Sequence, residues 1–348
     1  MRYDPIYNIW VSISEQRNDR PKDFSLFHEK NPEKENFAAC CPFCEGNEAE
    51  TPQERDVMLR ETEETLDNYR RPNAPGWMVR AVPNRYPFVE PDSEWTLQRI
   101  GPYFYAPNVG IQEVLVDVPY HASCLSGLSA EEFQYLIHFY HRRMHQIRKE
   151  YRWHYAQLFK NQGAQAGASL THIHTQLVAL PYIPQSLVLE QKFLQSYAHD
   201  NGQCYHCMVM EYEMRERWRF VDQTEYFNVF CPFASRFSGE IHILPRRHVP
   251  CFVQSTREEL DDLAELLRKT LRRLENVLTL PTYNLVLRNS PWEYDKEGVV
   301  LDSHFHWRME ILPRMTKLAG YELGTGYYVN PISPERAAVA LTTESFRI

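Results

Sequence analysis

The stretch His172-Ile173-His174-Thr175-Gln176 carries the clearest chemistry in this chain. On a β-strand, where successive side chains point to opposite faces, residues 172, 174 and 176 share a face and bring together two imidazoles and one amide. An imidazole can attack phosphorus, and an amide can donate to developing charge without titrating, so the face suits phosphorus chemistry. Taken alone, a His-x-His pair is more often structural or metal-binding than nucleophilic. Just upstream, Asn161-Gln162-Gly163-Ala164-Gln165-Ala166-Gly167-Ala168-Ser169 is a run rich in small residues. Its exposed amides and the Ser169 hydroxyl suit phosphate oxygens held beside the histidines.

An internal duplication supplies the elements that position these residues. In the first half, the strand-like Val114 to Val118 leads to His121, and eight residues later Ser129-x-x-Glu132 forms a capping box. The helix it opens carries Phe133, Leu136, Ile137, Tyr140, Met144 and Ile147 as its apolar stripe. In the second half, Ile241 to Leu244 leads to His248, and Thr256-x-x-Glu259 opens a helix with Leu260, Leu263, Leu267, Leu271 and Leu274 inward. Each helix is followed by a strand ending in Asn, Tyr155 to Asn161 and Tyr283 to Asn289. A His-x-His strand running to proline then follows, His172 to Pro181 and His304 to Pro313.

Each half also holds a Cys-x-x-Cys pair, and two thiolates with two neutral imidazoles make a tetrahedral zinc set. For the first half the set is Cys41, Cys44, His121 and His172. For the second, Cys204, Cys207 and His248 fit, while repeat alignment points to His304 as the fourth ligand and its neighbour His306 is equally reachable.

With 348 residues, 43% apolar and 13% aromatic, the chain can bury a sizeable core, as two domains or one large duplicated one. A formal charge of -8 argues against a broad nucleic-acid surface while leaving room for a local nucleotide pocket. The first ten residues lack an export signal, no apolar run reaches membrane-spanning length, and two Cys-x-x-Cys pairs among the eight cysteines read as metal ligands of a reducing compartment. The expected location is the cytoplasm.

In their order along nearly the whole chain, several segments resemble the galactose-1-phosphate uridylyltransferase family of the histidine-triad superfamily, including its ADP-glucose phosphorylase branch. They are Arg2-Tyr3-Asp4-Pro5 with Trp10-Val11, Arg17 to Pro21, Cys41-Pro42-Phe43-Cys44, Pro83-Asn84-Arg85-Tyr86-Pro87, Asn161 to Gln176, and Gly320 to Gly326. The resemblance implies an α+β fold of two histidine-triad-like halves, each an antiparallel sheet with flanking helices, here residues 1–185 and 186–348. It implies His174 as the nucleophile, Gln176 as a phosphoryl hydrogen-bond donor and His172 as a structural zinc ligand. Arg17 and Arg20 match positions near the diphosphate, Asn84 a nucleotide contact, Asn161 and Ser169 phosphate-side positions, and Tyr321 with Glu322 the hexose end. Glu190 matches a metal-binding glutamate of some members, but a lone helical glutamate is usually solvated and stays outside the zinc set. The second set looks like that of the phosphorylase branch, which favours His306.

The implied reaction exchanges a nucleoside monophosphate between a nucleotide sugar and a hexose 1-phosphate through a nucleotidyl-histidine. UDP-glucose with galactose 1-phosphate is the favoured pair, and ADP-glucose with phosphate is the alternative. A homodimer is implied, with Gly320 to Gly326 reaching the neighbouring site. Ile173 and Thr175 occupy variable positions of the family motif, Arg85 replaces an acidic neighbour of the nucleotide-binding asparagine, and Tyr328 stands where some members have a sugar-contacting glutamine. These departures touch base and sugar preference rather than the nucleophile. Rival classes are a nucleotide-sensing module without turnover and a zinc-dependent nucleic-acid binder.

Overall fold

The computed structural model describes residues 1–16, 41–60, 70–278, 282–292 and 304–344. In chain order the strands and helices begin with β1 (Arg2–Asp4), β2 (Ile9–Ile13), β3 (Asp56–Leu59), β4 (Trp77–Pro83), β5 (Gln98–Ile100), β6 (Tyr103–Tyr105) and β7 (Ile111–Val116). Next come α1 (Ala130–Arg148), β8 (Tyr155–Gln162), β9 (His174–Leu180), α2 (Gln185–Asn201) and α3 (Tyr205–Glu216). They are followed by β10 (Phe220–Gln223), β11 (Phe227–Phe230), β12 (Ile241–Pro245), α4 (Arg257–Val277), β13 (Tyr283–Arg288) and β14 (Arg308–Pro313). The chain closes with α5 (Gly320–Thr325), β15 (Tyr328–Asn330) and α6 (Pro334–Thr343).

Ten of these strands form one antiparallel sheet in the order β10-β11-β12-β14-β13-β8-β9-β7-β4-β3. Counted outward from the β8–β13 seam, the two halves repeat the same strand order, so the duplication read in the sequence is a repeat of topology. At the seam Asn161 lies opposite Asn284. The fold is α+β. The first residues cross between the halves: β2 pairs in parallel with β15, and Arg2 forms an ion pair with Glu335.

Helices α1 and α4 begin where the capping boxes place them, with the Ser129 and Thr256 side chains each accepting from the backbone N–H three residues on. Their apolar stripes are buried and pack against each other and the same face of the sheet. Burying each such Leu or Phe contributes about 1.5–3 kcal/mol.

Strand alternation decides what lies on the other face. Along β9, Leu177 and Ala179 join the helix-side core, which sends His174 and Gln176 to the opposite face. Along β14, Met309 and Ile311 join the core and send Arg308 and Glu310 to that same opposite face.

In the second half this face carries a buried ion network. Arg308 Nη1 donates to Glu190 Oε1 at 2.7 Å and its Nε to Glu310 Oε1 at 2.8 Å, while Arg288 also binds Glu190. Arg236 reaches Glu310 Oε2 at 3.0 Å, and the Tyr7 hydroxyl donates to Glu310. Glu190 is fully buried, not solvated as its lone helical position suggested, because two guanidiniums converge on it. Burial works to raise its carboxyl, but Arg288 and Arg308 outweigh it and hold the pKa below the usual range. Among the described residues, no helix is long and apolar enough to cross a membrane.

Removing one member of such a network strands its partners' charge. Glu190→Leu is therefore expected to lower the unfolding free energy by about 3–5 kcal/mol, read from urea denaturation followed by circular dichroism. An unchanged midpoint would contradict this account.

Candidate active site and metal centres

In the first half, Cys41, Cys44, His121 and His172 converge with their ligand atoms within 4.8 Å of one another. His172 Nδ1 lies 3.4 Å from Cys41 Sγ and 3.5 Å from Cys44 Sγ, and His121 Nδ1 lies 3.8 Å from Cys44 Sγ. Donors at zinc bond lengths in a tetrahedron stand about 3.5 Å apart, sulfur to nitrogen, so these separations fit one ion. The His172 Nε2 lies 3.0 Å from the Val118 carbonyl oxygen. A carbonyl only accepts, so the proton sits on Nε2 and the Nδ1 lone pair faces the sulfurs. Burial, opposed by that hydrogen bond, pushes the imidazole down to about 4, which keeps it neutral for ligation.

Cys204, Cys207, His248 and His306 form a matching set, with His306 Nδ1 3.9 Å from Cys204 Sγ and 3.6 Å from Cys207 Sγ. His306 Nε2 donates to the Pro245 carbonyl at 2.8 Å, as His172 does to Val118. The Trp307 N–H bonds to the Val249 carbonyl at 3.1 Å, as the Ile173 N–H does to that of Ala122 at 2.9 Å. His306 is thus the copy of His172. His304, which repeat alignment favoured, meets Cys204 through its carbonyl oxygen instead. That alignment counted back from proline, yet Pro181 lies seven residues after the first residue of β9 whereas Pro313 lies five after the first residue of β14. The offset is two residues. In this register Arg308 and Glu310 stand where the first half has His174 and Gln176.

A third convergence, Glu240, His242 and Glu310, is buried, but Arg236 already binds both carboxylates and Arg308 binds Glu310. Those guanidiniums occupy the cationic role there.

The two imidazoles of the first motif do not share a strand. β9 begins at His174, and His172 lies in the bend before it, turned to the cysteines. His174 Nδ1 donates to the His172 carbonyl at 2.8 Å, which leaves the Nε2 lone pair free to act. The Phe43 ring, from the Cys-x-x-Cys turn, packs at 5.3 Å between centroids. Burial first, and then the Lys160 ammonium, lower the His174 pKa, so the ring is neutral at physiological pH. Lys160 reaches through from the helix side of the sheet, donating to the His174 carbonyl at 3.0 Å and to Asp117 at 2.8 Å. The Tyr140 hydroxyl donates to the other Asp117 oxygen at 2.8 Å. These groups, fully or nearly fully buried, fix the backbone of His174 from behind.

Beside His174, the Gln176 side-chain oxygen accepts from Gln112 Nε2 at 2.8 Å. Asn84 is held nearby, its N–H bonded to the Gln112 carbonyl and its side chain closing a turn onto the Tyr86 N–H. Asn161 and the loop after it are clamped across the seam, because Asn284 Nδ2 donates to Asn161 Oδ1 at 2.9 Å and to the Ala166 carbonyl at 2.8 Å. Gly163 is required at the loop's start: its φ is +80°, and a Cβ there would come 2.5 Å from the Thr282 methyl. Ser169 stands exposed at the loop's end.

Tyr321 and Glu322 lie on the exposed α5, where Glu322 caps the Ala319 N–H, and no hydrogen bond or ring contact joins them to His174 among the described residues. Arg17 and Arg20 lie outside the described residues. Lys160, Asp117, Gln112 and Asn284 escaped the sequence reading. A lysine and an aspartate at core-facing positions of apolar strands were the available signal.

A family model described as "Galactose-1-phosphate uridyl transferase, N-terminal domain" matches residues 1–184. The chain belongs to the galactose-1-phosphate uridylyltransferase family. A second model, a domain of unknown function (DUF4921), matches residues 119–345. The chain is 30% identical to ADP-glucose phosphorylase of Arabidopsis thaliana, over 97% of this chain and 91% of the relative. It is 28% identical to galactose-1-phosphate uridylyltransferase of Thermotoga maritima, over 97% and 96%. The crystal structure of the Arabidopsis phosphorylase with bound ADP-glucose superposes with a TM-score of 0.78, at 28% identity over 98% of this chain and 97% of that one. A uridylyltransferase structure gives 0.70, at 29% identity over 98% and 97%.

For this member of the uridylyltransferase family, elemental analysis of the purified chain is expected to find two metal ions. Cys44→Ala and His306→Ala should each remove one, whereas His304→Ala should keep both. Loss of an ion in the His304 variant would reverse the ligand assignment.

Proposed function

We propose that this protein is a hexose-1-phosphate uridylyltransferase, moving UMP from UDP-glucose to galactose 1-phosphate through a covalent adduct on His174. The observation that carries the reading is the hydrogen bond from His174 Nδ1 to the His172 carbonyl, which aims a neutral Nε2 lone pair outward beside Gln176. In the first displacement, Nε2 attacks the α-phosphorus and a P–N bond forms. The bond to the bridging oxygen breaks, and that oxygen leaves with its electron pair on glucose 1-phosphate. In the second, a phosphate oxygen of galactose 1-phosphate attacks the same phosphorus, the P–N bond breaks and the imidazole is restored.

The Gln176 amide donates to the phosphoryl oxygens as charge develops, with Asn161, Ser169 and the loop amides on the same side. Asn84 contacts the nucleotide, Arg17 and Arg20 the diphosphate, and Tyr321 with Glu322 the hexose of a neighbouring subunit's site. Two zinc ions, held by Cys41, Cys44, His121 and His172 and by Cys204, Cys207, His248 and His306, are structural. The first stiffens the segment that ends at the nucleophile.

A homodimer is supported by Leu97, Ile100, Tyr103 and Phe104, apolar residues exposed on and beside the β5–β6 hairpin. Thiolate ligand sets need reduced cysteines, which supports a cytoplasmic location.

A second reading, an adenylyltransferase converting ADP-glucose with inorganic phosphate, is favoured by the Cys204–His306 metal set and by the likeness to the Arabidopsis phosphorylase. A donor-by-acceptor matrix separates the two. The first reading expects turnover of UDP-glucose with galactose 1-phosphate, and the second expects ADP-glucose with phosphate to be much faster. In either case, donor alone should add one acid-labile nucleoside monophosphate to the mass of the protein. His174→Gly should abolish that gain and lower turnover by about three orders of magnitude or more. A His174→Gly variant that is folded, metal-loaded and fully active would refute covalent catalysis here.

A further inference from the structure

An amide side chain in a transfer site can face either way, and only one orientation helps. With its NH₂ towards the phosphoryl group Gln176 stabilises developing negative charge, whereas with its oxygen there it repels that charge. Its orientation follows from a short chain of hydrogen bonds that starts at a group of fixed polarity. The backbone N–H of Phe88 can only donate, and it meets Gln112 Oε1 at 3.1 Å. That contact fixes the Gln112 amide, whose Nε2 must then face away and donate to Gln176 Oε1 at 2.8 Å. With its oxygen engaged, Gln176 keeps its own NH₂ free of hydrogen bonds among the described residues.

We propose that Gln112 is the positioning residue of the transfer site, acting through Gln176 to keep a hydrogen-bond donor aimed at the transferring phosphoryl group. Gln112 is 8% exposed, and its main chain takes part as well, since its carbonyl accepts from the Asn84 N–H at 2.8 Å. One residue therefore joins the 84–88 segment, where Asn84 is placed against the nucleotide, to the amide beside the nucleophile. The inference rests on the nucleotidyl-histidine reading and adds a residue that the sequence pattern does not single out.

The discriminating substitution is Gln112→Glu. It keeps the shape and can still accept from Phe88, but it offers Gln176 a carboxylate oxygen in place of a donor. Gln176 should then turn its NH₂ towards residue 112 and its oxygen towards the phosphoryl group. Losing one well-placed donor typically costs about 10²–10³ in rate, so the rate of adduct formation in single-turnover experiments should fall by about 10²-fold. KM for the donor should move little. Gln112→Ala, which leaves Gln176 unrestrained, should fall less, by about 10-fold on the same basis.

A double-mutant cycle separates positioning from a general structural effect. In a Gln176→Ala background, Gln112→Glu and Gln112→Ala should each cost nothing further. Equal losses in both backgrounds, or a Gln112→Glu variant that is as fast as the parent, would overturn the proposal while leaving the histidine adduct standing. If Gln112→Glu fails to fold by circular dichroism, the Gln112→Ala cycle decides between the same two outcomes. If the parent protein forms no adduct, the functional reading fails and this inference falls with it.

Discussion

The site depends on one hydrogen bond, from His174 Nδ1 to the carbonyl of His172. It joins two tasks that adjacent imidazoles would otherwise share. His172 offers Nδ1 to the cysteine sulfurs because Val118 holds its Nε2 proton, and His174 keeps its Nε2 lone pair uncommitted because His172 holds its Nδ1 proton. Each ring is fixed in one tautomer by a carbonyl oxygen that cannot reverse its role. The Cys/His-bearing bend and the first residue of β9 are therefore tied together, and an ion held by Cys41, Cys44, His121 and His172 would stiffen the approach to His174.

The second half keeps the scaffold and changes the side chains that face away from the helices. His306, Pro245, Trp307 and Val249 reproduce the hydrogen bonds made by His172, Val118, Ile173 and Ala122. Two and four residues further on, the imidazole and amide are replaced by Arg308 and Glu310, which bond to each other and, with Glu190 and Tyr7, form a buried network. An arginine there cannot serve as a nucleophile, and its charge is spent on buried carboxylates. The duplicated half thereby carries a second Cys/His cluster and a buried ion network where the first half has His174 and Gln176.

Much of this was legible in the sequence, for local reasons. The capping boxes at Ser129 and Thr256 and the 3.6-residue apolar periods located both helices, and the Cys-x-x-Cys pairs with their histidines located both Cys/His clusters. What stayed hidden is set by partners distant along the chain. Whether His304 or His306 turns to the cysteines depends on where β14 enters the sheet, and residue spacing to proline does not record that. The burial of Glu190 depends on Arg288 and Arg308, about 100 residues away, and the passage of β2 to β15 joins the two ends of the chain. Gln112 looks like any polar residue on a strand until Phe88 and Gln176 are seen on either side of it.

The seam between β8 and β13 gives the second half a role in the first. Asn284 belongs to the second half, yet it grips both Asn161 and the Ala166 carbonyl of the loop that leads to His174. A protein pared down to its first half would keep the His174 ring and lose the anchor of the loop beside it. The two copies therefore share one structural unit at the seam, and neither keeps its shape independently of the other.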